Sequence, residues 1–201
     1  MTGLLENLRL LAEGARWQGL WTALAASVLT LAGGLAWATH LYVQSGFSPG
    51  LIEGQLAFDA ARTRAWYAAL VERGTLELYR QTQWVDFIFI AGPLSMLFVL
   101  HLMLAKARRG EPTWQRLALW FAVLGPAIAS ADIWENLVTL TMLQAPDSFA
   151  DWQAILASSL SAVKWSWSVI GTSLVVAQLA ALAWHRIGGG RAGRIAHRSD
   201  T

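Results

Sequence analysis

Four long apolar stretches restrict what this chain can fold into. They run over about 17–43, 84–105, 114–143 and 152–184, and each has the roughly 20 residues that a helix needs to cross about 30 Å of hydrocarbon. Charged residues make up only 14% of the chain against 55% hydrophobic residues, too few charges to cover a soluble domain of this size. We therefore predict an all-α, polytopic membrane protein whose four transmembrane helices form a bundle.

Basic residues outside these stretches predict the orientation of the chain. Ten of them lie in the N-terminal segment, the second loop and the C-terminal tail: Arg9, Arg16, Lys106, Arg108, Arg109, Arg116, Arg186, Arg191, Arg194 and Arg198. The third loop has none, and four acids offset the four arginines of the first loop. Because cytoplasmic loops are enriched in Lys and Arg, both termini are predicted to be cytoplasmic. Thirteen of the fifteen basic residues are arginines, which favours a bacterial protein of the cytoplasmic (inner) membrane.

The first loop is long enough to hold structure of its own. Ser48-Pro49 is a typical helix start, and recurring apolar residues predict an amphipathic extracytoplasmic helix over about 49–82, broken at Gly74. This helix is either a connector that packs on its neighbours or a lid over a site. We expect one transmembrane domain over 1–187, followed by a disordered, basic cytoplasmic tail over 188–201 that has affinity at most for anionic lipid heads.

Four charged residues cannot be assigned to a loop or a tail and lie inside the apolar stretches: Asp86, Asp132, Glu135 and Lys164. A charge at the bilayer centre costs about 2.5–3.5 kcal/mol, so such residues need partners, water or a function. In an antiparallel hairpin, residues equally far from the loop lie at one depth. Counting from the middle of the second and third loops places Asp86, Asp132 and Lys164 in one layer of the outer half of the membrane, with Glu135 about one turn further out.

Polar and aromatic neighbours share helix faces with these charges, because residues three, four or seven apart lie on one side of a helix. Asn136 follows the acids of the third stretch, and Ser161 and Ser168 flank Lys164. Tryptophans placed inside the stretches are either bulky packing or walls of an apolar substrate pocket. The candidates for substrate contact are Asn136, Ser161, Ser168, Trp134, Trp165 and Trp37.

The charge of this group predicts that something exchangeable binds there. Three carboxylates and one ammonium sum to −2, which a medium of low polarity does not hold without relief. Protonation of an acid, a protonated His40 or a bound cation would each relieve it. His40 is a weak candidate metal ligand, since no His-x-x-x-His or Glu-x-x-His spacing accompanies it. Cys is absent, which excludes thiol chemistry, and we expect no cofactor.

Three functional hypotheses follow from this pattern. In the first, Asp86, Asp132, Glu135 and Lys164 are catalytic and carry out acid/base chemistry on a lipid-like or hydrophobic small molecule, as in a membrane-embedded hydrolase, isomerase or cyclase. In the second, the acids couple a proton or cation to binding or transport, which four helices could do only as a homo-oligomer. In the third, the charges form a salt bridge that packs a structural membrane subunit. Membrane lipids are the expected partners, and nucleic acid is not.

Overall fold

Seven helices make up the described part of the chain. The computed structural model describes residues 2–196, apart from the side chains of residues 2, 126–128 and 185–196. The helices are α1 (Thr2–Gly14), α2 (Trp17–Ser45), α3 (Leu51–Gln55), α4 (Ala60–Glu72), α5 (Leu76–Ala107), α6 (Pro112–Met142) and α7 (Asp151–Ala196). No strand occurs among these residues, so the predicted all-α class is confirmed.

Four of these helices are long and apolar enough to cross a membrane: α2, α5, α6 and, as far as Trp184, α7. They correspond to the four predicted stretches. The second is longer than predicted, because α5 begins at Leu76 rather than near Trp84. Most of the apolar residues of α2 and α7 are exposed: only 17% of the most apolar window of each of these two helices is buried, against 39% in α5 and 47% in α6. Such exposure fits an apolar solvent around α2 and α7.

The four long helices pack in the order α2, α5, α6, α7. Each packs along the next, whereas α2 and α7 have no extended packing against each other within the described residues. This order explains why α5 and α6 are the more buried pair. It also leaves a space between the two flanking helices.

Close packing of α2 on α5 depends on two glycines. A Cβ atom built at Gly34 would lie 2.8 Å from the Cα of Phe89, and one built at Gly92 would lie 2.5 Å from the Cα of Leu31. Both distances are shorter than van der Waals contact, so small residues let these helix backbones approach each other. The buried positions of α2 repeat every seven residues from Leu20 through Ser27 and Gly34 to Leu41, which matches one narrow contact stripe.

The N-terminal helix α1 was not predicted, and it packs on α5 and α6 near the loop that joins them. Ala12 is fully buried there. Lys106 donates to the backbone oxygen of Glu13, and Gln115 donates to its carboxylate. The hydrogen bond from Gln115, together with Arg9, holds the pKa of Glu13 below its ordinary range.

Arg108 lies at the same end and is buried rather than solvated, with 1% of its surface exposed. It pairs with Glu111, donates to the backbone oxygen of Gln178 on α7, and lies over the ring of Trp114. The sequence pattern had marked Arg108 only as a loop cation. Its contacts instead join the α5–α6 loop to α7.

The first loop forms two helices, α3 and α4, where one helix over about 49–82, broken at Gly74, was predicted. Residues 76–82 of that range belong to α5. Asp59 caps α4 by accepting a hydrogen bond from the backbone N–H of Arg62. The chain turns at Gly74, whose φ of +69° suits glycine, and α5 follows directly. We call α3 and α4 the cover helices, because both contact α7 and lie over the end of the space between the long helices.

The predicted tail over 188–201 overlaps the end of α7. The backbone is helical as far as Ala196, and residues 197–201 lie outside the described residues. The boundary of the transmembrane domain at 187 stays a prediction.

Candidate functional site

A cavity of about 390 Å³ lies between the long helices and beneath the cover helices. Every helix from α2 to α7 contributes to its wall, and Asp86, Asp132, Glu135 and Lys164 all line it. The volume is within the range of small-molecule sites. The ionisable residues therefore border an open space and are not packed solely against one another.

Lys164 on α7 pairs with two carboxylates of α6. Its Nζ atom lies 2.8 Å from Oδ1 of Asp132, to which it donates a hydrogen bond, and 2.7 Å from Oε2 of Glu135. All three residues are buried. The helical spacing of Asp132 and Glu135 explains the pairing, since residues three apart on α6 present both acids to the same side of α7.

Glu135 keeps one oxygen without a hydrogen bond. Its residue is 4% exposed, and although Oε2 is in ionic contact with Lys164, the geometry there is not that of a hydrogen bond. A buried carboxylate oxygen that lacks hydrogen bonds is costly. Because this oxygen is fully buried, its contact with the ammonium of Lys164 is what offsets that cost.

Asp86 on α5 also lines the cavity and has a different partner. Its Oδ2 accepts a hydrogen bond of 2.8 Å from the side-chain amide of Asn136, which is almost fully buried. Within the described residues no lysine or arginine lies within ion-pair distance of Asp86. Asp86 thus faces the cavity as a carboxyl group held by a neutral donor.

Aromatic rings enclose the cavity on the side of the cover helices. All three tyrosines of the chain line it, Tyr42 from α2, Tyr67 from α4 and Tyr79 from α5. Phe47 stacks on Tyr79 with 4.3 Å between ring centroids, and the ring of Tyr67 lies 5.9 Å from that of Tyr79. Burial, and to a smaller extent the charge of Glu135, raise the pKa of Tyr67 well above its ordinary value, so its hydroxyl stays neutral.

Hydrogen bonds join the cover helices to α7 beside the cavity. The indole N–H of Trp165 donates to Oε1 of Gln55 at 2.8 Å, and the hydroxyl of Ser158 accepts from the backbone N–H of Phe58 at 3.1 Å. Arg64 reaches from α4 to Asp151 at the start of α7. These contacts hold α3 and α4 over the ionisable residues.

The structure brings most of the predicted site residues together. The residues that line the cavity are Asp86, Asp132, Glu135, Lys164, Ser161, Ser168 and Trp165. Ser161 and Ser168 donate to backbone oxygens of α7 itself, those of Ala157 and Lys164. Their role is local, and they add polar surface to the wall.

Four predicted residues are placed differently. Asn136 does not line the cavity, and its amide donates to Asp86. Trp134 and Trp37 are more than half exposed and do not line the cavity, because the packed sides of their helices carry the acids of α6 and the contact stripe of α2. His40 is also exposed and lies outside the wall.

Sequence reasoning missed the residues that the first loop contributes, notably Gln55, Trp66 and Tyr67. The signal was the presence of aromatic and amide side chains in a loop predicted to be amphipathic, but no pattern indicates which residues of such a loop meet α7. In the described part of the chain, no group of three or more His, Asp or Glu side chains is arranged to hold a metal ion.

Fold and site together define a class: an all-helical protein with four helices able to span a membrane, around a cavity bordered by three carboxyl groups and one lysine. Comparison with known proteins adds no relative, since no family model matches the chain and no curated protein or solved structure is significantly similar to it.

Proposed function

We propose that this chain is a bacterial inner-membrane protein that carries out acid/base chemistry on a lipid-like or hydrophobic small molecule. The observation that carries the proposal is that a cavity large enough for a small molecule is bordered by Asp86, Asp132, Glu135 and Lys164, the four charged residues that lie inside the apolar stretches. A salt bridge that served packing alone would need no such space. The proposed topology is a four-transmembrane-helix bundle with both termini cytoplasmic and the cover helices on the outer side.

A surplus of acids supplies exchangeable protons. Asp132 and Glu135 share the ammonium of Lys164, and Asp86 has only the amide of Asn136. The three carboxyl groups therefore lie in unequal environments, which lets one exchange a proton while another stays ionised. A fully ionised group would have a charge of −2, so at least one of them holds a proton.

We assign the base role to Glu135, because it lines the cavity beside the ammonium of Lys164. Glu135 takes a proton from one atom of the substrate and returns it to another, so an isomerisation or cyclisation of this kind needs no further reactant. Lys164 stabilises the negative charge that develops on the substrate between the two transfers, and Asp132 fixes the position of the ammonium. Asp86 stays ionised while the substrate is bound and holds it in the cavity.

The gap between α2 and α7 supports entry from the membrane. A hydrophobic molecule in the bilayer would reach the cavity between these two helices, because they have no extended packing against each other within the described residues. The polar group of such a molecule would meet the carboxyl groups, and its apolar part would remain near Leu35, Leu94 and Leu97.

A lipid-conversion assay tests the proposal. The protein is purified in a neutral detergent and incubated with a total membrane lipid extract, and products are identified by mass spectrometry. Glu135→Gln should lower turnover about 100-fold or more, as loss of a general base usually does, and Asp86→Asn should lower it by weakening substrate binding. Glu72→Gln and Asp147→Asn are matched controls at exposed positions, and should leave turnover unchanged. Equal turnover in all four folded variants would rule out acid/base catalysis at this site.

A proton- or cation-coupled transporter is a second candidate, which the surplus of acids beside a cavity also supports. The same preparation separates the two functions, because chemical conversion proceeds in detergent whereas transport requires a sealed membrane. A transporter would also have to assemble as a homo-oligomer, which the mass of the protein–detergent complex would reveal.

A further inference from the structure

We infer that the ligand of this cavity is a hydrophobic molecule with one cationic amine or ammonium group, and that Asp86 is its counter-ion. The inference rests on the proposed function and specifies the class of substrate. It depends on how the charges are shared among Asp86, Asp132, Glu135 and Lys164, and on what else lines the wall beside Asp86.

The lysine of the cavity is already fully engaged by the acids of α6. Its ammonium contacts Asp132 at 2.8 Å and Glu135 at 2.7 Å, and lies 5.9 Å from the centre of the Trp165 ring. An anionic ligand would have to displace two buried carboxylates to reach it. Lys164 is therefore a poor site for an anionic head group.

Asp86, in contrast, offers the ligand a negatively charged group. It faces the cavity with one neutral hydrogen bond, from Asn136, and within the described residues it has no ion-pair partner. A carboxyl group that lines a cavity with unused acceptor capacity favours a ligand that donates hydrogen bonds or has a positive charge.

Aromatic rings extend this preference, because their faces attract ammonium groups. Tyr42, Tyr79 and Phe89 line the same cavity as Asp86, and Trp66 and Tyr67 line it from the cover helices. Aromatic side chains beside a carboxylate form the usual recognition site for substituted amines. An inorganic cation is a poorer fit, because no group of three or more His, Asp or Glu side chains among the described residues is arranged to hold one.

Charge balance predicts that ligand binding changes the number of protons bound by the protein. The titratable groups that line the cavity together with Asp86 are Tyr79 on its own helix, Tyr42 on α2, Tyr67 on α4, Asp132 and Glu135 on α6, and Lys164 on α7. The acids hold at least one proton when the cavity has no ligand. A cation that enters beside Asp86 replaces that proton, so binding should release protons and should strengthen as pH rises.

The test compares isosteric ligands on the protein in neutral detergent. Benzyltrimethylammonium, its neutral isostere with carbon in place of nitrogen, and benzenesulfonate are titrated by calorimetry in two buffers of different ionisation enthalpy, which reports proton release. We expect the cation to bind about 10- to 100-fold more tightly than the neutral isostere, as a charge-assisted contact predicts. Equal or tighter binding of the neutral or anionic compound would overturn the inference, as would a thermal shift produced by sodium or potassium ions alone.

Two variants locate the effect. Asp86→Asn should bring cation affinity down to that of the neutral isostere, whereas Glu77→Gln, an exposed acid on the same helix, should change neither. If Asp86→Asn does not fold, the isostere comparison on the unmodified protein still decides the question. Selective cation binding without conversion of lipid extract would refute the proposed catalysis but not the ligand class. Conversion that the cation does not inhibit would refute the ligand class but not the catalysis.

Discussion

Replacing Lys164 by methionine should destabilise the protein strongly, because it leaves its two carboxylate partners without their shared cation. At an effective dielectric constant near 20, each contact of about 2.8 Å is worth about 6 kcal/mol of Coulomb attraction, offset by the cost of burying the ions. Removal of one member of a buried ion pair typically costs about 3–5 kcal/mol. For a chain of this length that corresponds to a fall in the thermal midpoint of about 6–20 °C.

A double variant separates charge from shape. Lys164→Met changes the formal charge of the four charged residues from −2 to −3, because three carboxylates remain without an ammonium. Adding Asp132→Asn returns the charge to −2, with two carboxylates and no ammonium. We expect the double variant to recover most of the lost stability. The matched control is Lys106→Met at the other lysine of the chain, which donates one hydrogen bond to a backbone oxygen and should cost only about 1 kcal/mol.

The assay is thermal unfolding in neutral detergent, followed by tryptophan fluorescence and by the fraction that remains monodisperse. A thermal midpoint of Lys164→Met equal to that of the Lys106→Met control would refute the reasoning, since it would mean that the buried ion pairs contribute no stability. If the double variant recovers both stability and catalytic turnover, the charges serve helix packing alone. Recovery of stability without turnover would support the proposed chemistry.

Three further results are expected. Gly34→Ala should cost about 1–3 kcal/mol of stability, because its Cβ would meet the backbone of α5. The same change at the neighbouring Gly33, which has open space around it, should be almost neutral. Equal thermal midpoints of the two variants would contradict the close approach of α2 and α5. Gln55→Ala removes the hydrogen bond to α7 and should speed hydrogen exchange in α3 and α4 while the long helices stay protected. Unchanged exchange would mean that this hydrogen bond does not hold the cover helices in place. The pKa of Glu13 is lowered, chiefly by the hydrogen bond from Gln115. The contribution of Glu13 to stability is therefore present above about pH 4.5 and is lost as pH falls through the lower pKa of the folded protein. Glu13→Gln should make stability less dependent on pH on the acid side, and an unchanged pH dependence would exclude this contribution.

Length and hydropathy were enough to predict the helical class and the four long helices, because a segment that has only apolar side chains to offer must satisfy its backbone internally. Helical spacing and loop length also indicated that Asp132, Glu135 and Lys164 would meet, since two antiparallel helices joined by a short loop have little freedom in relative depth. Their proximity is present in the structure. Their catalytic roles stay predictions.

The facing of the tryptophans and the role of Asn136 could not be obtained in this way. Trp37 and Trp134 are as apolar as Trp165, and only the packing partner of each helix decides which ring lines a cavity and which is exposed. Asn136 is polar and lies on the expected face, yet its amide is used by Asp86. Side-chain direction within one helix turn depends on contacts with a second helix, and no local pattern encodes it.

The sequence by itself determined that the chain is helical, that four helices are long and apolar enough to cross a membrane, and that a few charges lie among apolar residues. Those properties depend on composition and on spacing along one helix. The tertiary structure decided that α2 and α7 lie apart, that the first loop covers the space between them with Gln55, Trp66 and Tyr67, and that Asp86 faces this space with no ion-pair partner among the described residues. Each of these depends on contacts between residues far apart in the chain, which exist only once the helices have packed.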